Sequence, residues 1–237
     1  MKIMPLLLAG VVALTSGNLW AASGRQDSIE RLQLSSDVLH SIMSAPDKGI
    51  PEEVMNGAKC LVIVPHLVKG GLVFGGEHGR GIASCRTADG WSAPAFVSVG
   101  GGSWGLQIGV EGVDLIMVVM NDNGLQHLLS SKFQISGDAS AAAGPVGRHA
   151  SAGTGWTMNT ELLTYSRSRG AFAGITLDGA VIEQDADSTR AIFGGDPSFR
   201  AILSGKVRAP RSTGRFMQAI VEMGRSGTVA EANPGQQ

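Results

Sequence analysis

The chain has 237 residues and a formal net charge of −1, with 43% hydrophobic and 16% charged residues. That length and apolar content suffice for one sizeable core, and the near-zero charge excludes the global positive field of a general nucleic-acid binder. Glycine is abundant, at 34, and aromatic residues make up only 5%, which points to closely packed, turn-rich sheet and away from a helical bundle.

Residues 1–22 combine Lys2, an apolar run over Ile3–Leu14 and the small-residue sequence Leu19-Trp20-Ala21-Ala22. This pattern reads as a secretory signal peptide, its apolar run being shorter than the roughly 20 residues a spanning helix needs. The expected location is therefore periplasmic or extracellular. Residues 25–225 contain neither a linker-like stretch nor a fixed-period repeat and read as one domain, and residues 226–237 as a disordered tail. "DSIERLQLSSDVLHSIMSAPD" sets Ile29, Leu32, Leu39, Ile42 and Met43 on a helical period. This predicts an amphipathic helix ending near Ala45-Pro46, its stripe either covering a sheet or lying on a membrane. "IPEEVMNGAKC" predicts a short helix with Pro51 in its first turn and Gly57 at its C-terminal cap.

Cys60–Pro65 is a short apolar strand, "GLVFGGEHGRGIASC" an extended glycine-studded one, and Trp91–Met120 several strands. Asn121 or Asp122 caps a helix carrying Leu125, Leu128 and Leu129. Further strands are predicted near Ser136–Ala143, Ala152–Trp156, Glu161–Ser166 and Ala171–Leu177, with Asp178-Gly179 as a hairpin turn. Two short helices follow in "DADSTRAIFG" and "DPSFRAILSG", the second capped by Asp196 and ended by Gly205, and then a basic amphipathic helix in "RSTGRFMQAIVEM". Arg200, Lys206, Arg208, Arg211, Arg215 and Arg225 of this region form a modest membrane-surface signal. The layout is α+β: a predominantly antiparallel, glycine-rich curled sheet packed with an N-terminal amphipathic helix and short C-terminal helices.

The glycine stretch Gly71–Gly81 could be a phosphate cradle or a packing device. It matches neither phosphate-loop pattern, and Gly81 leads into a strand rather than a helix N-terminus, so no nucleotide is expected; "GGGSWG" fails in the same way. Gly71, Gly75, Gly79 and Gly81 are separated by even numbers and would share one face of a regular strand, as would Gly105 and Gly109. The expectation is a packing surface where another backbone comes close. Cys60 and Cys85 are either a disulfide, plausible after export, or two buried thiols. No ligand spacing around His66 or His78 matches a metal cage. Glu77-His78 is the single enzyme-like cluster, and neither G-x-S-x-G nor H-E-x-x-H occurs, so no catalysis and no cofactor are expected.

"AKCLVIVPHLVKGGLVFGGEHGRGIASCRTADGWSAPAFVSVGGGSWGLQIGVEGVDLIMVVMND", with "AAAGPVGR" and "TYSRSRGAFAGITLDGAVIE" further on, resembles the SYLF domain over about residues 28–204. SYLF domains occur in yeast actin-patch proteins, in animal and plant trafficking proteins and as exported bacterial proteins. The resemblance implies a non-catalytic module that binds anionic phospholipids, phosphoinositides above all, with actin binding in yeast members. Cys60 departs from the small residue many relatives carry there, and export would remove the chain from inositol lipids and cytosolic actin. The expected partner is thus an anionic phospholipid or membrane surface, with an envelope protein bound through the sheet as the alternative. The candidate lipid-binding residues are Lys69 and Arg80 beside the glycine stretch, Arg148 in the GPVGR turn, and Arg167 and Arg169 in "YSRSRG".

Overall fold

In the computed structural model the described residues are 9–44, 49–71, 74–104, 109–146, 160–168, 171–177 and 179–231; at 9–22, 71, 74–75, 103–104, 109–111 and 225–231 the backbone alone is described. Helices α1 (Ala9–Met43) and α2 (Glu52–Gly57) lead into strands β1 (Cys60–Gly71), β2 (Phe74–Thr87), β3 (Gly90–Trp91), β4 (Ala95–Trp104) and β5 (Gly109–Val119). Helix α3 (Asp122–Leu129) is followed by β6 (Lys132–Gln134), β7 (Ala141–Ala143), β8 (Leu162–Ser168), β9 (Ala171–Gly174) and β10 (Val181–Gln184). Helices α4 (Ala186–Phe193), α5 (Phe199–Leu203) and α6 (Gly214–Glu231) close the described chain.

These strands form one strongly curled, half-barrel sheet in the order β6-β10-β4-β2-β1-β5-β8-β7, with β3 on β2 and β9 on β8. Among the named strands only the β7–β8 pair is parallel. The α+β expectation is met, with the long strands β2, β1 and β5 at the centre. Strand alternation gives the sheet two apolar faces. One carries Cys60, Val62, Val64, Ala83, Val97, Leu115 and Met117 and is covered by α3 and α5; it is called the α5 face below. The other carries Leu61, Ile63, Ile82, Phe96, Ile116, Val118 and Tyr165 beneath α1, α2, α4 and α6; it is called the α1 face. The predicted stripe of α1 packs on this sheet, Leu32, Leu39 and Ile42 being buried there. Buried Ser28 and Ser36 let the helix approach closely, each hydroxyl donating to a carbonyl one turn back, of Gly24 and Leu32.

The curl has an identifiable cause. Pro65 does not end β1 as expected; the strand runs on to Gly71 and absorbs the proline in a bulge between Val64 and Leu67, where the register shifts against both β2 and β5. A proline cannot donate to a ladder, and a bulge is where a central strand tolerates one. The next residue, His66, takes a left-handed conformation at φ 52. Opposite the bulge, a Cβ on Gly79 would lie 2.6 Å from Val64 Cγ1, and one on Gly81 would lie 2.3 Å from Ile63 O. Packing therefore explains these two glycines, as expected. Gly75 lies on the same face of β2, and Gly71, on β1, is its partner across the β1–β2 ladder and so shares that face too. Gly105 lies outside the described residues.

Cys60 and Cys85 are directly opposed in that ladder and joined in a disulfide. Asn121 caps α3 as predicted, accepting from the Gly124 N–H at 2.9 Å. Several local expectations are corrected. Pro51 precedes α2 as its N-cap, and Gly57 is its last residue. The cap of α5 is Ser198, whose hydroxyl accepts from Ala201 N–H at 3.2 Å, rather than Asp196. Gly179 does turn the chain, at φ 83, with Ala180 N–H donating to Leu177 O at 3.1 Å. The turn is not a hairpin, because β9 pairs with β8 while β10 pairs with β4 and β6 on the other side of the sheet. Asp178 and the strand expected near Ala152–Trp156 lie outside the described residues. Helix α1 begins within the segment read as a signal peptide, and α6 runs to Glu231, into the expected tail. Among the described residues no helix is long and apolar enough to cross a membrane.

Candidate functional site

The α5 face takes Lys69 and Glu77, neighbours across β1 and β2 with Nζ and Oε2 3.3 Å apart. The Glu77 side chain is 6% exposed and that of Lys69 22%. Register sets Glu111 of β5 on the other side of Lys69. Lys69 is thus the counter-ion of a buried carboxylate rather than a cation offered to solvent. The same alternation turns His78, exposed, to the α1 face. Glu77 and His78 point to opposite sides of the sheet and cannot serve one reacting group.

Arg167 lies on the α1 face of β8, paired in register with Asp114 of β5. Its Nε and Nη2 donate to Asp114 Oδ2 at 2.9 and 2.7 Å, while Asp114 Oδ1 accepts from the His66 backbone N–H at 3.1 Å. One buried carboxylate so satisfies the left-handed bulge residue and fixes the arginine. This guanidinium braces the sheet.

Arg80, also on the α1 face, is exposed and has no ion-pair partner among the described residues. Its charge reaches Arg31 of α1, whose guanidinium is buried 5.6 Å above the Phe96 ring and bonded to Asp185 at 2.9 Å. Burial foremost, with the like charge of Arg80 contributing, lowers the Arg31 pKa. Burial alone would raise that of Asp185, but the Ser188 N–H and hydroxyl and the Arg31 guanidinium outweigh it and hold the carboxyl below the usual range. Sequence reading missed this pair, since Arg31 sits beside the apolar stripe and its partner is far along the chain.

The structure does not gather the five sequence candidates into one patch. Lys69 is on one face, Arg80 and Arg167 are on the other, and Arg148 and Arg169 lie outside the described residues. Nor do the C-terminal cations whose side chains are described form a basic helix face. Helix α6 buries Phe216, Ala219, Ile220 and Met223 against the α1 face, and Arg215 is paired with Asp37 of α1 at 2.7 Å. Lys206, Arg208 and Arg211 instead occupy the connection between α5 and α6, all exposed and without an ion-pair partner among the described residues.

Beyond the cover of α1 the sheet lies open. Val68 is 48% exposed, and Gly70, Gly76, Gly102 and Gly112 share its face by register. A Cβ on Gly102 or Gly112 would meet nothing within 4 Å. Backbone crowding, the expected reason for the glycines, therefore holds on the α5 face at Gly79 and Gly81 and fails at these two positions.

A family model described as Ysc84, Las17-binding protein actin regulator, matches residues 100–223. An SH3 domain-containing protein of Schizosaccharomyces pombe is 37% identical over 165 residues, covering 68% of this chain and 38% of that protein. Protein YSC84 of Saccharomyces cerevisiae is 33% identical over 180 residues, 73% of this chain and 38% of the relative. The human SH3 domain-containing YSC84-like protein 1 is 31% identical over 169 residues, 70% and 49% of the two chains. The match spans less than half the length of each of these relatives.

Proposed function

The chain belongs to the Ysc84 (SYLF) family, and on that premise we propose that it is an exported, non-catalytic domain that binds anionic phospholipid head groups at a membrane surface of the cell envelope. The observation that carries this reading is the set of exposed cations with no ion-pair partner among the described residues: Arg80 on the α1 face, and Lys206, Arg208 and Arg211 beyond α5. Such side chains keep their full charge for an anionic surface, each contributing on the order of 1 kcal/mol near it. The disulfide supports the export reading, because such bonds persist in oxidising compartments. The signal-like N-terminus supports it too.

Co-sedimentation with vesicles of phosphatidylcholine, with and without added phosphatidylglycerol, tests the reading. The protein is expected to pellet only with the anionic vesicles and to be released by salt, which screens exposed charge. Equal recovery with both vesicle types would sink it. The second reading, an envelope protein as partner, is favoured by the open face around Val68. It fits the printed name of a yeast relative, LAS seventeen-binding protein 3, which is 30% identical over 181 residues.

A further inference from the structure

Resting on the lipid-binding reading, we propose that the surface that meets the lipid phosphates is the ledge Lys206–Arg211, at the end of the sheet away from Lys69. From Pro197 to Val221 the chain holds five cations and no carboxylate. Leu203 ends α5, and Gly205, at φ 77, redirects the chain. Residues then alternate: Lys206, Arg208 and Arg211 are exposed, while Val207 and Ala209 pack on the α5-face core. Pro210 is itself extended, at φ −62 and ψ 152, and its carbonyl accepts from Thr213 N–H and Oγ1 at 3.0 and 2.7 Å. The apolar residues thus hold the stem of the ledge in place, so that little backbone freedom is lost when the charges engage. A 3-10 turn, Arg211–Thr213, leads into helix α6, whose first turn carries no acidic residue of its own.

The position follows from β2. A Cβ on Gly205 would touch Thr87 Cγ2 at 3.0 Å, and Thr87 ends the strand whose other end adjoins Gly71. The ledge and the Lys69–Glu77 pair are therefore about 30 Å apart along the strand. The chemistry of the ledge fits a head-group layer better than a protein. Lys206 and Arg208, both exposed, flank a bend at Val207. Among the described residues the exposed large apolar side chains are Val68 and Val146, neither of them here. A protein interface is anchored by buried aromatic or aliphatic groups, whereas a phosphate layer needs cations alone. Asp89, exposed, lies two residues beyond Thr87, the residue that Gly205 adjoins.

The test compares the whole protein with three variants by partition onto phosphatidylglycerol-containing vesicles. The triple variant Lys206→Ala/Arg208→Ala/Arg211→Ala should bind on the order of a hundredfold more weakly, about fivefold per cation. Its conservative counterpart Lys206→Arg/Arg208→Lys/Arg211→Lys should bind like the parent. Asp89→Asn, which removes a repelling charge, should bind about two- to fivefold more tightly, a gain that a damaged fold would not produce. If the triple alanine variant partitions like the parent while Arg80→Ala does not, the ledge is refuted and lipid binding stands. If the triple loses only capture by immobilised polyglutamate, the ledge serves an acidic protein and the proposal fails. If the parent ignores vesicle charge, the underlying reading fails together with the ledge.

Discussion

At the scale of single residues, the glycines separate into those a neighbour forbids to change and those it does not. A methyl group on Gly81 would press on the Ile63 carbonyl, a backbone atom in the middle of the sheet. Gly81→Ala should lower stability by about 3 kcal/mol, at the upper end for overpacking, whereas Gly112→Ala should change it by no more than about 0.5 kcal/mol. Urea denaturation of both variants checks the contrast, and equal losses would contradict the crowding account. The sequence showed an even spacing of glycines but not which of them faced a bulge, because the bulge arises from Pro65 on a different strand. Arg31 was illegible for a related reason: its burial depends on Asp185, and a cation beside an apolar stripe looks solvent-facing until its partner is known.

At the scale of elements, the ends of the β1–β2 hairpin are held differently. At the α2 end the Cys60–Cys85 bond closes a segment with a sequence separation of 25. In the chain-entropy account this contributes about 3 kcal/mol through the unfolded state. Cys60→Ala/Cys85→Ala should therefore unfold that much more easily, and dithiothreitol should bring the parent to the same level while leaving the variant unmoved. At the bulge, one carboxylate, Asp114, joins β1 to β8 through His66 and Arg167. The elements themselves were largely readable. Periodicity found α1, α3, α4 and the central strands, and Asn121 revealed itself as a cap. What failed were the inferences that needed a partner: Pro65 as a terminator, Asp178-Gly179 as a hairpin and Asp196 as a cap. A lone strand is broken by proline, but a strand held on both sides by β2 and β5 bends around it.

At the scale of the whole molecule, α1 binds the two ends of the chain together. It meets α4 through Arg31–Asp185 and through an Arg25 hydrogen bond to the Ala191 carbonyl, and α6 through Asp37–Arg215. The buried member of this set carries a pH dependence. The folded Asp185 carboxyl titrates below its ordinary value of 3.8, so its contribution is complete above that value and disappears as pH falls through the lower, folded one. Asp185→Ala strands the Arg31 guanidinium and should cost about 3 kcal/mol at neutral pH. The variant should also lose less further stability than the parent between pH 4 and pH 2, measured by thermal melting across that range. A parallel acid response in the two proteins would contradict this. Of the five cations that the family resemblance pointed to, only Arg80 emerges exposed among those described, because sequence cannot say which side of a strand meets a carboxylate.

The uncovered sheet around Val68 has a practical corollary. Alanine scanning finds contact residues by deleting what protrudes, and where Gly102 and Gly112 leave bare main chain there is nothing to delete. Mutagenesis that only trims would pass over this area in silence, whatever rests on it. Its use can be read only by adding bulk, with a tryptophan at Gly112 standing as an obstacle to any visitor while leaving the interior undisturbed.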